Sequence, residues 1–140
     1  MASKLSVIKA NSVPPQNIRG FGSEAGQIRK VVSSPALFFN IDEVEPGFSP
    51  HHWHRHDGYK FEGHEVKYPS NFEEIYYVLD GHGVVQWKDE AGKVGEQAVG
   101  PGDTVYFPPD VVEHQLLNNS KATLRIAVVG VPPPTRTPLK

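Results

Sequence analysis

From residue 36 onward, apolar and polar positions alternate in short runs, each closed by a turn signal. The run at 72–79 shows this most plainly. Glu74, Tyr76 and Val78 fall on one side and Glu73, Ile75, Tyr77 and Leu79 on the other, because successive side chains of a strand point to opposite faces. Further strands are predicted at 36–44, 49–56, 84–88, 94–99, 104–107, 114–118 and 123–129. Between them stand Pro46-Gly47, Asp80-Gly81-His82-Gly83, residues 89–93, Gly100-Pro101-Gly102-Asp103 and Asn119-Ser120, combinations that reverse a chain. Pro108 and Pro109 end the 104–107 strand, since a residue without an N–H cannot continue a central ladder. No helical period lasts three turns, and no internal repeat is present. Short strands divided by regular turns predict an all-β sandwich or barrel.

Three stretches fall outside this pattern. Residues 1–26 are mixed and polar. They read as an arm that offers an edge strand, to this sheet or to a second subunit, with a disordered terminus as the alternative. Residues 57–71 are not strand-like, and a loop of that length inside a domain is usually functional or disordered. Its Tyr59, Phe61 and Tyr68 argue against disorder, which leaves a lid over a site or a flap packed on the outer wall. Residues 132–140, opening with Pro132-Pro133-Pro134, read as an extended tail. The domain proper is then 27–131.

Histidine is the candidate chemistry. Four of the seven histidines lie within six residues, at His51, His52, His54 and His56. On a strand His52, His54 and His56 share one face, and neighbouring imidazoles on one face suit a metal ion. Residues i and i+4 of a straight strand are ~13 Å apart, too far to share one ion. The pair is therefore His52 with His54 or His54 with His56, the first being preferred. His64, Lys60 and Glu62 on the insert, and His82 in its turn, read as solvated surface. Asn118 reads as a backbone-bonding residue.

These residues also resemble the motifs of a known family, the cupins. Gly47, Pro50 and His52-Trp53-His54 are similar to the opening of the first cupin motif, and Glu74 with Gly81 to its close. Gly102, Pro108, His114 and Asn118 are similar to the second. The chain departs from the pattern in three places. Gly47 stands out of its usual spacing to the histidines. Asp110 replaces a glycine, with one extra residue before His114. Nineteen residues separate His54 from Glu74 where a few are usual. The resemblance implies a single-domain cupin-type double-stranded β-helix, a jelly-roll barrel. It implies metal ligands at His52, His54, Glu74 and His114, with His56 as the alternative on the first strand. One divalent transition metal per subunit, Fe, Mn, Ni or Zn, is then expected. If His52, His54 and His56 all reach the ion, His114 completes a four-histidine set with Glu74 beside it, an arrangement similar to some cupin polyketide cyclases. A homodimer is also implied by analogy.

Composition narrows the remainder. Thirteen glycines and thirteen prolines suit a turn-rich β chain, and 140 residues suffice for one core. A net charge of −2 with scattered basic residues gives no pull toward nucleic acid. No cysteine means nitrogen and oxygen ligands alone. No apolar run near ~20 residues and no signal-type segment are seen, so no membrane partner and a cytoplasmic address are the default expectation. A small-molecule substrate is expected, with His56, Tyr76 and Tyr59 as candidate catalytic groups. Dioxygenase-type chemistry is preferred. Redox-neutral cyclisation or isomerisation, and a non-catalytic small-molecule-binding cupin, are the rivals.

Overall fold

The alternating runs do become strands, and their inward positions become the core. The computed structural model describes residues 2–18, 23–51 and 53–140. Among these, the strands in chain order are β1 (Gln16–Asn17), β2 (Gly26–Ser33), β3 (Phe38–Val44), β4 (Tyr59–Phe61), β5 (His64–Lys67) and β6 (Glu73–Asp80). They continue with β7 (Gly83–Lys88), β8 (Val94–Val99), β9 (Thr104–Phe107), β10 (His114–Leu117), β11 (Leu124–Val131) and β12 (Thr135–Pro138). Two single-turn 3₁₀ helices, Ala10–Ser12 and Ser23–Ala25, complete the regular structure.

The largest sheet runs in the order β1-β2-β3-β11-β6-β9. A second sheet runs β10-β7-β8. All pairings are antiparallel. Val44, Tyr76, Val78, Phe107, Leu124, Ile126 and Val128 of the first sheet pack with Val85, Val99 and Leu116 of the second in one cluster. The apolar faces of two sheets closed on each other form a jelly roll. Register across the large sheet sets the inner face in layers. Phe38, Gly130 and Glu74 lie level, then Asn40, Val128 and Tyr76, then Asp42, Ile126 and Val78.

Turn chemistry fixes the corners. Gly81 holds φ at +83°, and a Cβ there would collide with the Thr123 backbone carbonyl, so only glycine fits the turn between β6 and β7. Asn118 is fully buried and has the backbone-bonding role its sequence position implied. Its Nδ2 donates to Val44 O and to Ala122 O, both at 2.8 Å. Its Oδ1 accepts from Ser120 N and Oγ. Its own backbone clamps Gly47 and Phe48, just ahead of the histidines.

Four segments differ from the sequence reading. β2 was not predicted as a strand; a register shift between Lys30 and Val32 breaks its alternation. The N-terminal edge strand exists as β1, paired with β2 of the same chain. Residues 57–71 are not a loop but a hairpin of β4 and β5, and the tail supplies β12, giving a third sheet in the order β12-β5-β4. Finally, 49–56 is not a continuous strand. Ser49 folds back on the backbone of His51, Pro50 has no N–H, and the segment meets the sheet only at an isolated antiparallel bridge between His54 and His114. Strict alternation is lost there, so the rings of His51 and His54 stack with centroids 4.1 Å apart instead of facing opposite ways.

Candidate metal centre

The bridge from His54 to His114 is what assembles the centre. His54 N donates to His114 O at 3.1 Å and His114 N to His54 O at 3.0 Å, locking an irregular segment to β10. The bend after His54 then turns His56 back toward the same point. One ring nitrogen each of His54, His56 and His114 falls within 4.8 Å of the others. Their ring centroids are 4.5 Å apart for His54 and His114, and 4.7 Å for His56 and His114. His52 lies outside the described residues.

Tautomers can be read from the partners. His114 Nδ1 lies 2.8 Å from Val112 O, so Nδ1 carries the proton and Nε2 keeps its lone pair. That Nε2 is buried and has no hydrogen-bond partner among the described residues. His56 Nε2 lies 3.4 Å from Glu74 Oε1, and its buried Nδ1 likewise has no partner among them. Burial, then the neighbouring His114 and His51, pushes the His56 pKa down to about 3. Burial also holds His114 below its usual value, opposed in part by the Val112 carbonyl. Both imidazoles are therefore neutral at pH 7, the form that binds metal. The lone pairs of these two neutral rings, with the His54 nitrogen within 4.8 Å of them, are a donor set that fits a divalent ion.

Glu74 sits beside this group, not within it. It is buried, accepts a hydrogen bond from Tyr76, and has its pKa raised to about 8 by burial and then by Asp42. In the metal-free protein at neutral pH its contact with His56 is thus between uncharged groups, not an ion pair. Tyr76 is buried on the same strand face, its own pKa pushed well up by burial and by Glu74. Alternation along β6 had put Glu74, Tyr76 and Val78 inward, and all three are buried.

Aromatic side chains ring the centre. From the hairpin segment, Tyr68 stands 5.3 Å from the His56 ring and Tyr59 Oη 3.2 Å from His51 Nε2. Phe72 and Phe107 close the other sides at 4.9 Å and 5.8 Å from His56. Beside the histidines opens a cavity of about 330 Å³, whose walls include His51, Tyr59, Tyr68, Glu74 and Tyr76. Pro133 and Pro134 of the tail also line it. Lys60 and Glu62 are exposed, as the insert reading expected, and so is His82.

Sequence reasoning missed Asp42, which lines the same cavity from β3 at 5% exposure. The signal was there: it alternates with Asn40 and Phe38 on one side and Val44 on the other, placing a carboxyl among core positions. Burial raises its pKa to about 7 from 3.8. The native state therefore keeps a proton that the unfolded chain loses above pH ~4, so Asp42 makes stability fall as pH rises from about 4 to 7, with no further fall above. The Asp42→Asn variant lacks this slope. Its stability advantage over the metal-free parent is expected to grow by about 3 kcal/mol from pH 5 to a plateau just above pH 7, in urea unfolding at each pH. A constant difference would contradict it.

The cupin-domain family profile matches residues 40–130. The chain belongs to the cupin family. Among curated relatives, an uncharacterised protein of Methanocaldococcus jannaschii is 36% identical over 61 residues. That match spans 44% of this cupin and 44% of the relative, less than half the length of either. Solved structures share the fold. A predicted oxalate decarboxylase of Thermotoga maritima superposes with a TM-score of 0.62 at 22% identity, covering 90% of this cupin and 98% of that chain. A cupin-superfamily sugar phosphate isomerase of Silicibacter pomeroyi gives 0.66 at 20%, covering 94% and 78%. The polyketide cyclase RemF of Streptomyces resistomycificus gives 0.63 at 18%, covering 98% and 87%.

Proposed function

We propose that this cupin is a mononuclear metal-dependent enzyme acting on a small oxygen-rich organic molecule taken into the cavity beside His54, His56 and His114. The carrying observation is the convergence of three imidazole nitrogens within 4.8 Å, behind a cavity whose His51, Tyr68 and Glu74 touch the rings of His54 and His56. These three would hold one Fe, Mn, Ni or Zn ion. Glu74 would orient His56 through its Nε2, as carboxylates commonly do for metal-bound histidines, or join the ion itself. His52 remains a proposed ligand from the family motif. Bound there, the ion supplies Lewis-acid polarisation of a carbonyl, enol or carboxylate oxygen, and iron would add dioxygen activation.

The chain's own residues favour proton-transfer chemistry. Tyr68 and Phe72 cover the His56 imidazole. Asp42 and Glu74 keep their protons near neutral pH beside Tyr76, so the cavity offers acids and bases poised close to the working range. This supports a redox-neutral cyclase or isomerase reading over the dioxygenase-type one. The latter keeps the support of a histidine face with room for other ligands. Of the earlier catalytic candidates, Tyr76 and Tyr59 keep that proposed role, whereas His56 is better used as a ligand.

An oxygen electrode separates the two readings. The protein, loaded with Fe(II) and separately with Zn(II), would be incubated with enolic and phenolic acids. Product formation without oxygen uptake, in the zinc form as well, is the expected result. Stoichiometric oxygen uptake in the iron form alone would move the assignment to dioxygenase chemistry. Bound metal without turnover would leave a non-catalytic binding cupin. The proposed homodimer is supported by Ile75, Tyr77 and Leu79 of β6 and Tyr106 of β9, all exposed on the outer sheet face.

A further inference from the structure

The metal centre accounts for the histidines and Glu74 but leaves Asp42 unexplained. It stands on β3 between Ile28 of β2 and Ile126 of β11, with Val78 level on β6. All three neighbours are aliphatic. Its Oδ1 is buried and has no hydrogen-bond partner among the described residues. A carboxyl in that position costs folding free energy that an aliphatic side chain would not. Local rules of this kind are broken chiefly where a site needs it, and Asp42 faces the cavity that holds Glu74 and Tyr76.

We propose that Asp42 binds a hydroxyl of the cavity's ligand, and that this ligand is a small hydroxylated ring compound, a phenol or a cyclic enol. The unpartnered Oδ1 supplies the acceptor. The two carboxyls that line this space, Asp42 and Glu74, give an anionic group no counter-charge in either protonation state, whereas an uncharged hydroxyl is accepted. Phe38, Tyr59, Tyr68, Tyr76, Pro133 and Pro134 give the cavity flat apolar walls, which suit a ring. A volume of about 330 Å³ limits the ligand to a small one. Lys30 lines the mouth and is the place where an acidic substituent would point. The substrate class rests on the enzyme reading above; the hydroxyl contact itself needs no metal.

The test uses phenol and toluene, nearly equal in shape and differing by the hydroxyl, titrated into the full chain by ligand-observed NMR with and without zinc. In the metal-free parent, phenol is expected to bind at least about tenfold more tightly than toluene. In Asp42→Ala and Asp42→Val the preference is expected to shrink to within about twofold, with toluene binding kept and melting temperatures no lower than the parent's. An undiminished preference in both variants would overturn the proposal. So would a clear drop in both melting temperatures, which would make Asp42 structural, or binding of neither probe to the parent. Zinc titration of the same samples keeps the two readings apart. One zinc per chain without hydroxyl preference defeats only the Asp42 assignment, and hydroxyl preference without a zinc site defeats only the metal reading.

Discussion

Replacing His54 by alanine is expected to abolish stoichiometric binding of a divalent metal while the barrel stays folded. His54 is central to the group, 4.5 Å from the His114 ring and 5.2 Å from that of His56. Its bond to β10 is made by backbone atoms, N to O in both directions, and alanine keeps both. Its ring is only half-buried and packs on other histidines of the segment and of β10. Removal therefore deletes a ligand while the backbone bridge to β10 stays. Loss of a group that merely orients a ligand weakens metal binding about 10–100-fold, so loss of a ligand should exceed that range. Competition against a chelating dye measures the affinity, and urea unfolding of the metal-free protein checks the fold. Unchanged affinity would remove His54 from the centre. Unfolding on substitution would make the site structural.

The second large effect is on stability, at Asn118. Alanine there removes the buried donor to Val44 O and the Oδ1 acceptor of Ser120, and leaves Ala122 O with Ser120 Oγ as its remaining donor. The residue is fully buried, so water does not readily replace the amide. Each stranded buried group costs about 1–3 kcal/mol, and Asn118→Ala is expected to lose about 3 kcal/mol in urea unfolding. Asn118→Asp should fare no better, since a carboxylate cannot donate to the two carbonyls. A loss below about 1 kcal/mol would show that the loop relaxes to satisfy them. The backbone of the same residue holds Gly47 and Phe48. Metal affinity in Asn118→Ala should therefore fall as well, because the histidine segment begins at that clamp.

Much of this was legible in the chain. Alternation placed Glu74, Tyr76 and Val78 on the buried face of β6, and His114 and Leu116 together on that of β10. Turn residues marked the hairpins, and Asn118 was recognisable from its place after β10. The losses have physical reasons. β2 carries a bulge that scrambles its two-residue period. β4, β5 and β12 are short and polar, and β12 pairs with β5 from about seventy positions away, Lys67 with Thr135, so neither segment signals the other. The histidine segment misled because alternation assumes a straight strand. Ser49 and Pro50 bend it, which brings His51 against His54, and the turn after His54 returns His56 to the group. Asp42 was missed differently: its strand was predicted and alternation put it level with Val44, but Phe38, Asn40, Asp42 and Val44 mix apolar and polar types, so the inward face was plain only from the register.

Elemental analysis of the protein as purified, without added metal, tests the central claim most directly. The account predicts close to one equivalent of iron, manganese, nickel or zinc per chain in the parent and none in His54→Ala. A parent that carries no metal, and takes up none when each ion is supplied in excess, would contradict it.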